Sequence, residues 1–321
     1  MRAVVTGGAG FLGTLLARRL LAGPVAVGGR DPEPVAELVI ADLVAPAPEL
    51  AEDGRVRVLT GDLSRLALPE ADLVCHLAGV VSGAAEADFD LGLRTNVDGT
   101  RAVLEWCRAM PTPPVLVFAS SLAVYGADPA IGPVGDVDDD TLPRPQSSYG
   151  VQKFVAEQLV ADYSRKGFVR GRSVRLMTVV VRPGRPNAAA SSFLSGIIRE
   201  PVAGRPAVCP VPPDTEIALS SPDRTLAGIL RAAEVDDLDW GSHTAMNLPA
   251  LTTTPAAMVE ALDRVTGEDR GSLIEWRDDP AVGAIVGSWP ARFTAARAQR
   301  LGLDPDPSFD AIIRAYLYSI R

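Results

Sequence analysis

Lysine is almost absent from this chain: only Lys153 and Lys166 occur, although lysine and arginine together number 31. Cysteine is also scarce. Cys75, Cys107 and Cys209 are scattered at spacings that suit neither a disulfide framework nor a metal. Cys75 and Cys107 lie in apolar stretches, as reduced core thiols do, so a cytoplasmic protein without a metal site is expected. No apolar run reaches the roughly 18 residues needed to cross a bilayer, so no membrane association is expected. Met1–Thr6 enters a strand pattern at once, and no secretory leader is expected. Clustered cations are missing too. A net charge of -9 argues against a nucleic-acid partner, which needs grouped Lys and Arg, but leaves room for a small anion held by local arginines. There is no internal repeat or low-complexity segment, and Asp136–Asp140 reads as a solvated acidic loop.

What is present is ordinary globular material: 321 residues, 47% apolar and 22% charged. That length suits a nucleotide-sized domain with a smaller lobe appended. The first half alternates short β-rich runs with helical stretches, as a parallel α/β sheet does. Strands are predicted at Arg2–Thr6, Ala36–Asp42, Val56–Thr60, Leu73–Leu77, Val115–Ala119 and Ser173–Val181. Helices are predicted at Phe11–Ala22, Ala87–Arg108 and Ser147–Arg165. Beyond Arg182 the chain is cut into short pieces by Pro183, Pro186, Pro201, Pro206, Pro210, Pro212 and Pro213, as in a loop-rich substrate lobe. Helices are expected to return at Pro222–Ala233, Thr254–Val265 and Ser308–Tyr318. The division expected is 1–181 for the sheet domain and 182–321 mainly for the lobe, with about 221–235 returning to the sheet domain.

The first strand runs into Gly7-Gly8-Ala9-Gly10-Phe11-Leu12-Gly13. Gly7 allows the tight turn, Gly10 lacks the side chain that would block a pyrophosphate, and Gly13 lets the helix pack closely on the sheet. The helix start then offers the amides of Phe11 and Leu12 and a positive dipole end to phosphates. Strand, glycine loop and apolar helix in that order predict a Rossmann-type doubly wound parallel sheet. A carboxylate ending the second strand would bond the adenosine ribose diol. Asp42 stands 29 residues after Gly13, later than the usual 20 or so, because Gly28–Pro34 reads as an insertion. A rival reading takes Val25–Val27 as the second strand and Arg30 as a clamp for the 2′-phosphate of NADP. The longer β-branched run favours Asp42 and NAD. Gly61-Asp62-Leu63 closes the third strand where the adenine would lie, although Asp62 also suits an ordinary turn.

Ser147-Ser148-Tyr149-Gly150-Val151-Gln152-Lys153 puts a phenol and an ammonium four residues apart, on one face of a helix. A nearby cation favours the phenolate and lowers a pKa that is otherwise about 10. Tyr149 is thereby expected to act as general base, with Lys153 also bonding the nicotinamide ribose. An Arg-rich chain that keeps a lysine here points the same way. Ser121 ends the fifth strand, where ligands of open α/β sheets bind, and its hydroxyl can hold the substrate oxygen; Ser120 is a plausible helper. His76-Leu77-Ala78-Gly79 ends the fourth strand, with Leu77, Ala78 and Gly79 lining the cofactor by their main chain. Asn96 falls mid-helix, where asparagine is a poor former, and is read as an active-site residue with a relay or ordering role.

Taken together these motifs resemble the extended short-chain dehydrogenase/reductase superfamily, which includes sugar-nucleotide epimerases and dehydratases. The resemblance extends over nearly the whole chain to those of its bacterial members that oxidise the 2-hydroxyl of the four-carbon acid D-erythronate with NAD. It rests on residues 80–92 (VVSGAAEADFDLG), 145–150 (PQSSYG), 178–193, 196–201 and 207–214. By that resemblance Ser121, Tyr149 and Lys153 are the catalytic set. Ser82, Thr178, Asn187, Ser191 and Arg199 lie near the substrate, and a homodimer forms by pairing two long helices of each subunit. Two departures stand out: Met177 replaces the proline expected before Thr178, and Gly28–Pro34 lies beside the cofactor acid. An anionic substrate needs a cation, for which Arg185, Arg199 and Arg224 are the candidates, Arg199 the preferred one. The competing functions are a nucleotide-sugar epimerase or dehydratase that keeps its NAD, and a dinucleotide-binding sensor without turnover. The intact Ser121/Tyr149/Lys153 set speaks against the second.

Overall fold

The structure, a computed structural model, describes residues 1–184 and 188–320. Seven strands form the central sheet: β1 (Arg2–Thr6), β2 (Glu37–Asp42), β3 (Val56–Thr60), β4 (Leu73–His76), β5 (Val115–Ser121), β6 (Arg170–Leu176) and β7 (Met246–Asn247). Their order is β7-β6-β5-β4-β1-β2-β3 and every pairing is parallel. This is the doubly wound Rossmann arrangement expected. Such strands are covered on both faces, which explains the unbroken apolar runs Ala3-Val4-Val5 and Leu38-Val39-Ile40-Ala41, all buried. The helices that matter for the site are α1 (Phe11–Ala22), α2 (Gly99–Arg108), α3 (Ser148–Arg165), α4 (Ser192–Val202) and α5 (Pro222–Glu234).

The two largest apolar clusters among the described residues divide the chain. One joins Leu16, Leu20, Ile40, Leu73 and Val115 to Leu226, Ile229 and Met246, so α5 and β7 pack into the sheet formed by the first half. The other, of Leu194, Ile197, Ile198, Met258, Leu262, Ile312 and Ile313, lies wholly in the second half. Two small sheets sit there: Leu251–Thr253, Ile217–Ser220 and Thr178–Val179 in one, and Ile274–Trp276 beside Ala207–Cys209 in the other. All three cysteines are buried free thiols. No helix among the described residues is long and apolar enough to cross a membrane.

Three expectations need correction. The strand predicted at Ser173–Val181 begins earlier, at Arg170, and stops at Leu176; Thr178–Val179 belongs to another sheet. Arg170, Arg172 and Arg175 disguised it. Arg175 enters the sheet because Glu157 takes it in two hydrogen bonds, of 2.9 and 2.7 Å, and Arg172 because Asp237 accepts one from its Nη2. The single helix predicted at Ala87–Arg108 is broken into Ser82–Ala87, Phe89–Gly92, a π-helical turn at Leu93–Asp98 and α2. Asp88, extended at φ -132°, starts the second piece by accepting from the Leu91 amide at 2.9 Å. The acidic loop is less solvated than expected, since Asp139 accepts from the Arg297 amide at 2.8 Å and the Asp138 carbonyl accepts from Asn247 at 3.0 Å.

Candidate active site

At the carboxyl edge of the sheet the loops after β1 and β4 meet. Gly7 has φ +71°, and a Cβ there would lie 2.6 Å from the Ala78 nitrogen, so only glycine lets the two loops touch. A Cβ on Gly13 would lie 2.2 Å from the Gly7 carbonyl oxygen, which fixes how closely α1 approaches the loop. The residue before α1 is Gly10, so no side chain caps the helix and its first-turn amides remain available. Uncapped amides at a positive helix end, behind a glycine cradle, fit the pyrophosphate of a dinucleotide. The Leu77 amide donates to the Thr6 carbonyl at 3.1 Å. Gly79 sits against Asn96 and Lys153: a Cβ on it would come 2.9 Å from Asn96 Oδ1 and 3.5 Å from Lys153 Nζ.

Asp42 ends β2 beside the glycine loop, where its Oδ2 accepts from the Ala9 amide at 3.0 Å and its Oδ1 from the Leu43 amide at 2.7 Å. Arg30 is nowhere near. It reaches Asp72 at 3.4 Å, just before β4 and at the amino edge of the sheet, so the NADP-clamp reading fails on geometry. The insertion Gly28–Pro34 precedes β2 at that far edge rather than lining the cofactor groove. Asp62 is exposed, and its Oδ1 accepts from both the amide and the hydroxyl of Ser64, at 2.9 and 2.8 Å, as a turn residue does. Those bonds hold its carboxyl below the ordinary range. Leu63 beside it packs on the core under α2 and α3.

The chemistry centres on the start of α3. Ser147 caps that helix by accepting from the Gly150 amide at 3.2 Å. A Cβ on Gly150 would lie 2.1 Å from the Ala123 carbonyl oxygen, so glycine alone lets α3 lie against the turn that follows β5. That packing brings the Ser121 hydroxyl into a hydrogen bond with the Tyr149 phenol. Lys153, buried one turn along, donates to the Ala119 carbonyl at 2.8 Å, with its Nζ 5.8 Å from the centre of the Tyr149 ring. Asn96 is fully engaged: Oδ1 accepts from the Val80 amide at 2.8 Å, and Nδ2 donates to the Val80 carbonyl at 3.0 Å and to Gln152 at 2.7 Å. That geometry orders the loop after β4 against α3 and leaves no spare proton to relay. Ser120 is turned away, donating at 2.5 Å to Glu157, so it does not help Ser121.

The electrostatics differ from those expected. Burial pushes the Tyr149 phenol up to about 12, against the Ser121 bond and the charge of Arg182, which favour the phenolate. Arg182 is thus a second cation near the phenol, besides Lys153. Lys153 itself is brought down to about 8 by burial, with Glu157 opposing. Sequence reasoning missed Arg182, although its position directly after Val179-Val180-Val181 was a usable signal. Burial lowers its pKa, Tyr149 opposes, and the like charge of Arg199 adds to the lowering. Among the described residues its guanidinium makes no ion pair, and its backbone amide donates to Ser195 at 3.0 Å.

The other substrate candidates are spread more widely. Arg199 is buried, with Nε donating to Glu200 at 2.9 Å and Nη1 to the Arg182 carbonyl at 3.0 Å, while Nη2 has no hydrogen bond among the described residues. Ser82 accepts from the Ala190 amide at 3.1 Å, tying the loop before α4 to the loop after β4; Ser191, buried, immediately precedes α4. Thr178 lines a small cavity with Leu122 and Trp289, and Met177 packs beside it on Leu122 and Ala218. Arg224 is exposed at the start of α5. Arg185 and Asn187 lie outside the described residues.

Residues 3–215 match the NAD dependent epimerase/dehydratase family, and the match covers well over half of the chain. The chain belongs to that family. Its cofactor is accordingly NAD, and it is an NAD-dependent oxidoreductase. It is 50% identical to a D-erythronate dehydrogenase of Cupriavidus necator, over 99% of this chain and 98% of that protein. A D-erythronate dehydrogenase of Haemophilus influenzae is 40% identical, with 99% of both chains covered. Among solved structures, a nucleoside-diphosphate-sugar epimerase from Agrobacterium tumefaciens superposes with a TM-score of 0.88 at 35% identity, covering 99% of this chain and 94% of that one.

Proposed function

We propose that the chain oxidises the 2-hydroxyl of D-erythronate to 2-dehydro-D-erythronate. The observation that carries this reading is Arg182, a half-buried guanidinium with no countercharge among the described residues, near the Tyr149 phenol. A small hydroxy acid presents a hydroxyl and a carboxylate close together, and these two groups answer both. The full-length likeness to two proteins named for that activity supports the same substrate.

In this reading the substrate oxygen lies between Ser121 and Tyr149. Ser121 holds it, and Tyr149 as phenolate takes the hydroxyl proton while the C2–H electron pair leaves and C2 becomes a carbonyl. When bound, NAD would supply the hydride acceptor. Lys153, which donates to the Ala119 carbonyl, would hold the nicotinamide ribose, Asn96 orders the loop after β4, and Asp42 would take the adenosine ribose diol. Gly7, Gly10, Phe11, Leu12 and Gly13 cradle the pyrophosphate. Leu77, Ala78 and Gly79 line the cofactor, and Asp62 and Leu63 border the adenine. Arg182 takes over the carboxylate from Arg199, which positions it through the Arg182 carbonyl; Ser82, Thr178, Asn187 and Ser191 border the rest of the substrate.

Two further readings accompany it. A cytoplasmic location fits three buried reduced thiols. A homodimer fits the apolar residues left exposed near the helices flanking the site: Phe89 at 59%, Val151 at 45% and Val155 at 40%. Val103, Leu104 and Val160 are buried, so the free stripe is narrower than the sequence pattern implies.

The test is a panel of four-carbon sugar acids with NAD or NADP, followed at the NADH absorbance band. D-erythronate with NAD should give one NADH per substrate. Conversion of a nucleotide sugar with no NADH release would replace this reading with epimerisation, as in the enzyme from Agrobacterium tumefaciens.

A further inference from the structure

A second cleft lies at the opposite end of the sheet. It measures about 840 Å³ and opens at the amino ends of β4, β5 and β6, within the range of small-molecule sites. β5 alone runs from Val115, in the cleft wall, to Ser121, in the active site. Seven residues of strand therefore separate the two, about 20 Å at the usual rise.

The walls of this cleft are built, and hydride transfer has no use for them. Gly28 and Gly29 have φ of +60° and +80°. A Cβ on Gly28 would fall 2.2 Å from Arg170 Nη1, and one on Gly29 would fall 2.6 Å from the Asp236 Cβ. Two successive left-handed glycines thus press the insertion against β6 and the start of the segment after α5, and bring Arg30 to the rim. Arg170 donates to the Gly28 carbonyl at 2.9 Å and pairs with Asp237 at 3.0 Å.

Two donors of wall residues have no acceptor among the described residues. Arg172 is 3% exposed and its Nε is buried without a partner, although Nη2 bonds Asp237. Trp240 is 4% exposed and its Nε1 is likewise orphaned, with the Arg172 guanidinium 5.3 Å from its ring centre. A buried donor left unsatisfied is costly, and both orphans are N–H groups that only an acceptor can satisfy. Three arginines, Arg30, Arg170 and Arg172, face two aspartates, Asp72 and Asp237, so the wall is one charge positive in a chain of net charge -9.

We propose that this cleft binds a small anion presenting at least two acceptor oxygens, a phosphate or a carboxylate, with Arg172 and Trp240 as its inner donors and Arg30 at its mouth. The site is separate from the one that handles NAD and the sugar acid.

The test titrates the full-length protein, free of cofactor, with sodium phosphate in one arm and sodium malonate in the other, at ionic strength matched with sodium chloride. Tryptophan fluorescence and melting temperature are the readouts. A saturable response to at least one probe is expected, and the two arms say which oxygen chemistry is preferred. Arg30→Ala, at an exposed rim position, should weaken it about tenfold, the size of a lost charged hydrogen bond, with turnover unchanged. Trp240→Phe should abolish the fluorescence change. The proposal is overturned if neither probe gives saturation, if both variants respond as the parent does, or if only Arg182→Ala removes the response, which would put the anion in the active site.

Discussion

The two ends of the central sheet treat charge in opposite ways. At the amino ends, Arg30 meets Asp72, and Arg170 and Arg172 share Asp237. At the carboxyl ends Arg175 is paired with Glu157, but Asp42, Lys153 and Arg182 form no ion pair among the described residues, and their hydrogen bonds go to amides, carbonyls and hydroxyls. The same contrast separates Arg199, held by Glu200, from Arg182, which meets no opposite charge among the described residues. A charge kept out of water without a countercharge is costly, so it persists where a ligand will answer it.

The hardest way to break that contrast is to remove the base. Tyr149→Phe keeps the ring in its packing and should lower turnover by at least about 10²-fold, with NAD affinity unchanged in a binding titration. Lys153→Ala should lower turnover and weaken NAD as well. Near-normal turnover in Tyr149→Phe would mean that the carboxyl edge uses another proton acceptor.

Next in size is the pair of arginines. Arg182→Ala should raise KM for D-erythronate about 10- to 100-fold, the range of a lost charge-assisted bond to a carboxylate. It should also shift the pH profile. Tyr149 must be deprotonated to act, so kcat/KM climbs with pH. The charge of Arg182 favours the phenolate, so its loss moves that limb to higher pH. Arg199→Ala should instead act on stability, because Glu200 loses one of its two arginine partners. If Arg199→Ala carries the KM effect and Arg182→Ala does not, the unpaired-charge argument is wrong.

That pair also shows how far the sequence is legible. The glycine loop, Asp42 and the Tyr149/Lys153 pair are local patterns, each readable within seven or so residues. The choice between Arg182 and Arg199 depends on which guanidinium is captured by a neighbour, and Glu200 does that only once α4 has formed. Ser120 and Ser121 are adjacent and chemically alike; the alternation of β5 turns one toward Glu157 and the other toward Tyr149. The start of β6 was hidden because buried arginines look like surface residues until Glu157 and Asp237 are brought beside them.

A smaller effect sharpens the contrast at Asp42. Its carboxylate repels a 2′-phosphate, so the parent should prefer NAD clearly. Asp42→Ser should narrow the ratio of NAD to NADP efficiency about tenfold, the worth of roughly one charged contact. Arg30→Ala should leave that ratio alone, since Arg30 sits at the other end of the sheet.

The smallest effect concerns His76, where the carboxyl edge keeps charge out rather than leaving it unpaired. His76 ends β4, fully buried, with Nδ1 2.6 Å from the Thr6 hydroxyl and Nε2 3.0 Å from the Thr100 hydroxyl. Thr100 donates its own proton to the Asn96 carbonyl at 2.7 Å, so it accepts from Nε2, and Nδ1 takes the Thr6 proton. The ring is therefore neutral, and burial, with the charge of Lys153 adding, brings its pKa down to about 3. A base whose folded pKa lies below its unfolded value, here about 6.5, binds more protons when unfolded. Its contribution is fully present above pH 6.5 and is lost as pH falls toward 3, by about 1.4 kcal/mol per pH unit. Between pH 7.5 and 5.5 that is a fall in melting temperature of only a few degrees, at about 2–4 °C per kcal/mol for a chain of this order of size. His76→Asn should start from a lower melting temperature but decline less steeply over the same interval. Parallel slopes would assign the acid sensitivity to the aspartate pairs of the amino edge instead.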